Sequence, residues 1–315
     1  MKIRIGTRRS ALAMWQARFV ADCIRRADPT ADTQFVQVGS IGDSDRNSSF
    51  QDIGGIGVFT KSGEAALIAH EVDIVVHSLK DLPTTLPEQL VLASIPKRED
   101  PRDVLCGIRL EDIKSDCTIG TGSIRRSAQL LSLFPDINIR LIRGNVPPRL
   151  RKAAKKEGID GTLLAASGLK RLGLLDESME ILSPIVFPYA VGQGALGIEC
   201  RSSDSKLIKM LKSFECSRSR AEIEAERALL HGLQAGCNLP VGVHGWWVDD
   251  IFHLNVTVTS TDGTYSIRGY ETTRLNKATA MGTVLAMRLI EKGAGELLKA
   301  VALTELKETD SAQPL

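Results

Sequence analysis

Aromatic residues are scarce in this sequence, where phenylalanine, tryptophan and tyrosine together make up 4% of the 315 residues. So few rings argue against a surface on which the bases of single-stranded nucleic acid stack. Net charge is also small, because 40 basic residues nearly balance 38 acidic ones and leave a formal charge of +2. Any strong positive field must therefore be local, and we expect no nucleic-acid partner.

Several other patterns are missing from the chain. No apolar run reaches the roughly 18 residues of a membrane-spanning helix, so we expect no membrane partner. The phosphate-binding loop of nucleoside triphosphatases does not occur. The six cysteines, at positions 23, 106, 117, 200, 216 and 237, form no C-x-x-C pair and lie beside no histidines at metal-ligand spacing. We therefore expect no metal site, reduced thiols and a cytoplasmic location.

Strand and helix patterns alternate along the first two thirds of the chain. The β-branched runs KIRIG, FVQVG, VDIVVH and LVLASI are separated by helical patterns near residues 10–27 and 59–70. This alternation predicts βαβ units and a mostly parallel sheet. A long polar segment at 39–57 is typical of a functional lid or a disordered loop. Prolines and charges at 95–103 precede a second alternating set, and 183–194 marks another crossing between domains.

The pattern changes from about residue 204. Two helices at 204–214 and 219–235 are followed by three β-rich runs and a helix at about 276–294, which predicts an α+β module of roughly a hundred residues. The preceding GQGALG at 192–197 matches the dinucleotide fingerprint G-x-G-x-x-G. Because Pro188 precedes it and the β-favouring IEC follows it, we interpret these glycines as a backbone bend at a domain crossing.

Polar residues follow one apolar strand in VHSLKDLPT at 76–84, which contains His77, Ser78, Lys80 and Asp81. Ligands of parallel α/β sheets bind at the carboxyl ends of strands, so this corner is a candidate site. The alternative is a solvated corner between a strand and a loop.

Arginines occupy three predicted strand-to-helix junctions. Arg125 and Arg126 lie at a helix start, Arg143 ends a strand, Arg149 lies one turn into the next helix, and Arg8 lies at the first junction. A helix start favours anions, and arginine suits bidentate recognition of carboxylates. These positions predict a cleft for a ligand with several carboxylates or phosphates. Arginines scattered over the surface remain the alternative.

Cys237 lies in the predicted turn LQAGCNLP, where a thiol has several possible uses. A zinc ligand and a disulfide are disfavoured by the cysteine spacing. A nucleophile, an attachment point and a residue without special function all remain open on the residues alone.

Taken together, these segments resemble the porphobilinogen deaminase (hydroxymethylbilane synthase) family. The resemblance is carried, in the family's order, by IGTRRSALAMWQA, VVHSLKDLPT, KREDPRD, GTGSIRRSAQL, RGNVPPRL, ASGLKRLGL, YAVGQGALGIECR and AERALLHGLQAGCNLPVG. It implies two α/β domains of the periplasmic-binding-protein type, the second inserted in the first, and a C-terminal α+β domain. The expected boundaries are 1–95 with 190–212, 96–189, and 213–315.

The resemblance also implies an activity and a cofactor. The family condenses four porphobilinogen molecules head to tail into hydroxymethylbilane, releasing ammonia, as a step of tetrapyrrole biosynthesis. It uses a dipyrromethane primer joined by a thioether to the cysteine of the turn, which Cys237 matches. Asp81 matches the catalytic aspartate, which stabilises positive charge on the pyrrole nitrogen.

By motif position, further residues match those that hold the carboxylates of cofactor or substrate. They are Arg8, Ser10, Ser78, Lys80, Ser123, Arg125, Arg126, Arg143, Asn145, Arg149 and Arg171. Gln193 matches the crossing segment near the cofactor, and Asp43 and Lys61 match polar positions on and beside the family's mobile loop. We expect a cytoplasmic monomer with porphobilinogen as its substrate. The alternative functions are a non-catalytic carboxylate-binding module of the same fold and, less favoured, nucleic-acid binding.

Overall fold

The computed structural model describes residues 1–39, 58–234 and 239–299. The chain forms two compact units, the first from Met1–Glu99 with Gly194–Ile223 and the second from Asp100–Gln193 with Glu224–Leu315. The first unit is therefore discontinuous in sequence. The division into three domains that the sequence predicts stays a prediction.

The first unit contains a five-stranded mixed sheet. Its strands are β1 (Lys2–Thr7), β2 (Asp32–Gln37), β3 (Ile74–Ser78), β4 (Leu90–Ser94) and β10 (Leu196–Arg201), in the spatial order β2-β1-β3-β10-β4. β1 pairs in parallel with β2 and β3, whereas β10 is antiparallel to both β3 and β4. Four strands thus run in one direction, and β10, which returns from the second unit, opposes them.

In the described part of this unit, three helices accompany the sheet: α1 (Ala11–Ala27), α2 (Val58–Ile68) and α6 (Ser205–Lys212). α1 begins where the Ser10 side chain accepts a hydrogen bond from the backbone N–H of Ala13, at 3.2 Å. Arg25 and Arg26 in its last turn complement the helix dipole. Val20 and Ile24 on its inner face pack into a buried cluster with residues of β1, β3 and β10.

The second unit contains another five-stranded sheet. Its strands are β5 (Asp103–Cys106), β6 (Thr118–Thr121), β7 (Asn138–Leu141), β8 (Gly161–Ala165) and β9 (Glu180–Ile181), in the order β7-β6-β8-β5-β9. The helices α3 (Ile124–Leu133), α4 (Val146–Ala154) and α5 (Ala166–Arg171) follow β6, β7 and β8. Pro147 and Pro148 are accommodated in the first turn of α4, where a missing N–H leaves no bond unmade.

The two sheets share one strand order. In each, the parallel strands are arranged second, first, third, followed by an antiparallel strand and an outer strand. Within each sheet the carboxyl ends of the parallel strands meet at one edge, where ligands of such folds bind. The sequence motifs at strand ends are therefore neighbours within their own unit.

The last part of the chain is an α+β segment. It contains α7 (Ser217–Gly232), the antiparallel strands β11 (Val241–Val248), β12 (Ile251–Thr259) and β13 (Ser266–Arg274), and α8 (Ala278–Glu291), and residues 294–299 are also helical. α8 approaches α7 so closely at Gly282 that an added Cβ would lie 2.1 Å from the carbonyl oxygen of Ala225. Only glycine permits this separation.

The predicted fold class is confirmed: two α/β sheets of like order, one inserted in sequence within the other, precede an α+β segment. Within the described ranges, no helix combines the length and apolar character that crossing a membrane requires. The same ranges hold no group of three or more His, Cys, Asp or Glu side chains placed to bind a metal ion.

Candidate active site

The corner after β3 presents Asp81. β3 is almost entirely buried and ends at Ser78, and a 3₁₀ helix runs from Leu79 to Asp81. Leu79 is buried and anchors the turn, whereas the Asp81 side chain is exposed. Within the described part of the chain, no hydrogen bond or ion pair to the Asp81 carboxylate occurs. This carboxylate is therefore available to a ligand at the end of the strand.

Ser78 is held in place from α1. The buried Gln16 side chain donates a hydrogen bond from Nε2 to Ser78 Oγ at 2.8 Å. Arg8 and Ser10 lie at the junction of β1 and α1, and β1 is parallel to β3. The structure thus brings Arg8, Ser10, Ser78 and Asp81 to one edge of the first sheet, as the sequence motifs predict.

His77 has a different environment from its neighbours in the motif. Its side chain is buried and its Nε2 lies 2.9 Å from Glu199 Oε2 on β10. Glu64 of α2 lies near this pair, and burial together with the negative charge of Glu199 raises the pKa of Glu64. Because strand residues alternate between faces, His77 belongs to the interior of the first unit rather than to its ligand edge.

Arg125 and Arg126 are buried, although a helix start is usually exposed. Ser123 caps α3 by accepting from the backbone N–H of Arg126 at 3.5 Å, which places both arginines in the first turn. The two residues are 4% and 5% exposed. Burial of two adjacent cations requires a counter-ion, because uncompensated buried charge is strongly unfavourable.

That counter-ion is Asp103, the first residue of β5, which is fully buried. Arg126 Nη2 lies 2.6 Å from Asp103 Oδ1, and Arg125 Nη2 lies 2.8 Å from Oδ2. Burial alone would raise the pKa of Asp103, but the two guanidinium groups outweigh it and hold this pKa well below its usual range. The sequence motifs missed Asp103. The sequence signal that could have indicated it is an acidic residue at the start of an otherwise apolar strand, DVLC.

Arg149 is the third cation of this region. Its Nε is buried without a hydrogen-bond partner in the described part of the chain. Burial, with a smaller contribution from the nearby positive charge of Arg126, lowers the pKa of Arg149 to about 10. The Nε of Arg149 is therefore a buried hydrogen-bond donor that an anionic ligand could satisfy.

Gln193 joins the same cluster. Its buried side chain donates from Nε2 to Asp103 Oδ1 at 2.8 Å and to the carbonyl oxygen of Pro101 at 2.6 Å. Gly192 and Gly194 on either side have positive φ of 73° and 84°, which favours glycine. The bend predicted for this segment is present, and β10 begins directly after it at Leu196.

The remaining predicted residues lie at more open positions. Arg143 is exposed after β7, Asn145 is the N-cap residue of α4 without a side-chain capping bond, and Arg171 ends α5. Lys61 is exposed on α2, and Lys80 lies beside Asp81 in the 3₁₀ helix. Cys237 and Asp43 lie outside the described residues.

These observations define a class of protein. The chain is an α/β protein whose strand-end edges carry polar and basic groups. One edge has a carboxylate without a partner among the described residues, and the other has buried guanidinium groups suited to carboxylates or phosphates. Among solved structures, the methionine-binding protein MetQ is similar, at 12% identity and a TM-score of 0.43, covering 71% of this chain and 94% of that one.

Two family models match the chain. Residues 3–209 match the dipyrromethane cofactor binding domain of porphobilinogen deaminase, and residues 220–291 match its C-terminal domain. The porphobilinogen deaminase of Desulforudis audaxviator is 42% identical, with 95% of this chain and 98% of that protein covered. That of Pelotomaculum thermopropionicum is 40% identical, with 98% and 99% covered.

The chain belongs to the porphobilinogen deaminase family, as its motifs indicate. It is an enzyme, a transferase of tetrapyrrole biosynthesis with a dipyrromethane cofactor and porphobilinogen as substrate.

The residues of the second unit fit such a cofactor. Dipyrromethane carries carboxylate arms, and this unit supplies buried guanidinium nitrogens, Arg125 Nε and Arg149 Nε, that have no hydrogen-bond partner among the described residues. Arginine donors left unpaired in a dry environment are costly unless an anion binds them. Ser123 and Asn145 at helix starts add polar groups at the same strand-end edge.

Proposed function

We propose that Cys237 holds dipyrromethane through a thioether and that the enzyme extends it with four porphobilinogen molecules, each of which loses one ammonia as its new C–C bond forms. Hydrolysis by one water then releases hydroxymethylbilane and leaves the primer attached. When bound, dipyrromethane supplies the pyrrole carbon to which new units are added. The near-complete match to the family carries this proposal, because it spans both the strand-end residues and the segment that contains Cys237.

Asp81 is the proposed catalytic group. Loss of ammonia from porphobilinogen places positive charge on the pyrrole nitrogen, and a fixed carboxylate that accepts its N–H stabilises that charge as it develops. Three features support the assignment: the exposed side chain, the absence of a protein partner in the described ranges, and the rigid turn anchored by Leu79.

The basic and polar residues at the strand ends are the proposed carboxylate ligands. Each pyrrole unit brings an acetate and a propionate, so a growing chain needs many donors. The proposed set is Arg8, Ser10, Ser78, Lys80, Ser123, Arg125, Arg126, Arg143, Asn145, Arg149 and Arg171. Gln193 is proposed to contribute to cofactor binding, and Asp43 and Lys61 are polar positions on and beside the 39–57 segment. Arg149 has the strongest support because its buried Nε lacks a partner.

The proposal includes a cytoplasmic monomer that binds no nucleic acid and has three domains with the boundaries expected from the sequence. Support for a reducing compartment comes from Cys23, Cys106, Cys117, Cys200 and Cys216, which all have free thiols. Size-exclusion chromatography with light scattering tests the monomer, since a dimer mass would contradict it.

The direct test is incubation of the purified protein with porphobilinogen. We expect substrate loss, ammonia release and hydroxymethylbilane in a ratio of about four substrates per product, as the family's reaction requires. The principal alternative, a binding module of the same fold, predicts saturable binding of porphobilinogen without ammonia release. That outcome would contradict the proposed function.

A further inference from the structure

Asp103 occupies the centre of the arginine cluster in the second unit. One of its oxygens, Oδ1, accepts from Arg126 Nε at 3.2 Å, from Arg126 Nη2 at 2.6 Å and from Gln193 Nε2 at 2.8 Å. The other oxygen forms the ion pair with Arg125 at 2.8 Å. A single buried carboxylate therefore contacts three residues that the sequence motifs assign to ligand binding.

The remaining guanidinium bonds point to an orienting role. Arg125 Nη1 donates to the carbonyl oxygen of Pro188 at 2.7 Å, and Arg126 Nη1 donates to that of Leu163 at 2.9 Å. Each guanidinium plane is thus fixed by one backbone carbonyl and by Asp103. Arg125 Nε is left buried without a partner in the described part of the chain, so an N–H stays available to a ligand.

Charge in the cluster is only partly balanced. Asp103 pairs with Arg125 and Arg126, and the positive charge of Arg126 in turn acts on both Arg125 and Arg149. Without Asp103, the buried Arg125 and Arg126 and the nearby, half-buried Arg149 would repel one another and move apart or draw in water. With Asp103 they stay together and keep a net positive charge for an anion.

We propose that Asp103 is a positioning residue that assembles and orients these guanidinium groups for the carboxylates of cofactor and substrate. The inference rests on the proposed function, because it takes the arginines to be ligand-binding groups. The geometry of these arginines is then set by the Asp103 carboxylate at the start of β5. This carboxylate supplies negative charge on one side of the cluster, and the other side is left for the carboxylates of the ligand.

Steady-state kinetics of Asp103→Asn tests the proposal. The amide keeps the size of the side chain and an oxygen for Gln193 but removes the charge that fixes both arginines. We expect KM for porphobilinogen to rise about ten-fold or more, with kcat per cofactor-loaded molecule changed much less, because lost carboxylate binding affects ground and transition states alike. Intact-mass spectrometry supplies the loaded fraction.

Two further variants separate positioning from folding. Asp103→Glu retains the charge and therefore the fold but displaces the carboxylate, so we expect a KM between those of wild type and Asp103→Asn. Asp160→Asn is the matched control, since Asp160 accepts from the backbone N–H of Thr118 at 2.8 Å at the opposite edge of the same sheet. It should lower Tm without changing KM.

A wild-type KM in whichever Asp103 variant folds would overturn the inference and leave Asp103 a structural residue. Failure of the proposed function is distinguishable, because wild-type protein would then convert no porphobilinogen at all.

Discussion

Asp81 and Arg149 carry opposite charges, so each suits a ligand group of the other sign. The Asp81 carboxylate is exposed and has no partner within the described ranges, while the Arg149 Nε is buried and equally unpartnered. Water solvates the exposed Asp81 carboxylate, whereas burial of the Arg149 Nε without a partner costs free energy that an anionic ligand recovers. Both residues are therefore best tested by separating their effects on activity from their effects on stability.

Asp81→Ala should leave the fold and cofactor loading intact but lower kcat about a hundred-fold or more, because charge on the pyrrole nitrogen loses its stabilising carboxylate. Asp112→Ala is the matched control, since Asp112 is also an exposed acid at the end of a 3₁₀ helix. Product formation by Asp81→Ala at the rate of the control would remove Asp81 from the mechanism.

Arg149→Leu should raise KM for porphobilinogen while leaving Tm unchanged or higher. Burial disfavours the charge of Arg149 and lowers its pKa from 12.5 to about 10, so the folded protein binds fewer protons than the unfolded chain between these values. This group's contribution to stability therefore rises with pH across that window. Arg151→Leu, at an exposed position of the same helix, is the control and should change neither quantity. A fall in Tm specific to Arg149→Leu would contradict the assignment.

At the scale of elements, α7 and α8 depend on one close approach. An alanine Cβ at position 282 would lie 2.1 Å from the carbonyl oxygen of Ala225, and 2.9 Å from the backbone nitrogen of Leu229. These neighbours are backbone atoms of α7, so no side-chain rotation can relieve the contact. The helix that leads to the Cys237 segment is therefore positioned by glycine in α8.

Gly282→Ala should destabilise the protein by about 1–3 kcal/mol through overpacking, which differential scanning calorimetry would detect as a lower Tm. Gly295→Ala is the control, because among the described residues its Cβ would meet only Ile290, at 3.8 Å. The control should be neutral or slightly stabilising. Equal melting temperatures for the two variants would show that α7 accommodates the extra methyl group.

The segment before β5 gives a pH prediction. Burial alone would raise the pKa of Asp100, but hydrogen bonds from Arg102 outweigh it and lower this pKa from 3.8 to about 2. A lowered carboxyl pKa stabilises the fold above the unfolded value of 3.8, and that contribution is lost as pH falls towards 2. Asp100→Asn should therefore lower Tm at pH 7 and lose less Tm than wild type between pH 4 and pH 2. Parallel melting curves would contradict this.

Most elements could be predicted from the sequence, because their signals are local. The pattern at 10–27 became α1 with its Ser10 cap, and the glycines at 192–197 form the expected bend. Burial of His77 against Glu199 and of Arg125 and Arg126 against Asp103 could not be predicted. Each of these contacts joins residues distant in sequence, and only the assembled sheet shows which face a side chain occupies.

At the scale of the whole molecule, the two five-stranded sheets share one spatial order of strands. Both sheets present polar strand ends, and the chain passes between the two units three times, at Glu99–Asp100, Gln193–Gly194 and Ile223–Glu224. The family match over both regions shows that the protein is an enzyme of tetrapyrrole biosynthesis. The covalent attachment of a pyrrole primer to the Cys237 thiol remains to be tested by experiment.

Intact-mass spectrometry of the purified, catalytically active protein tests that claim most directly. We expect a mass above that of the polypeptide by two linked pyrrole units in the wild type and in the control Cys216→Ala, whose thiol is partly exposed, and the bare polypeptide mass in Cys237→Ala. Protein that converts porphobilinogen while showing only the bare polypeptide mass would contradict it.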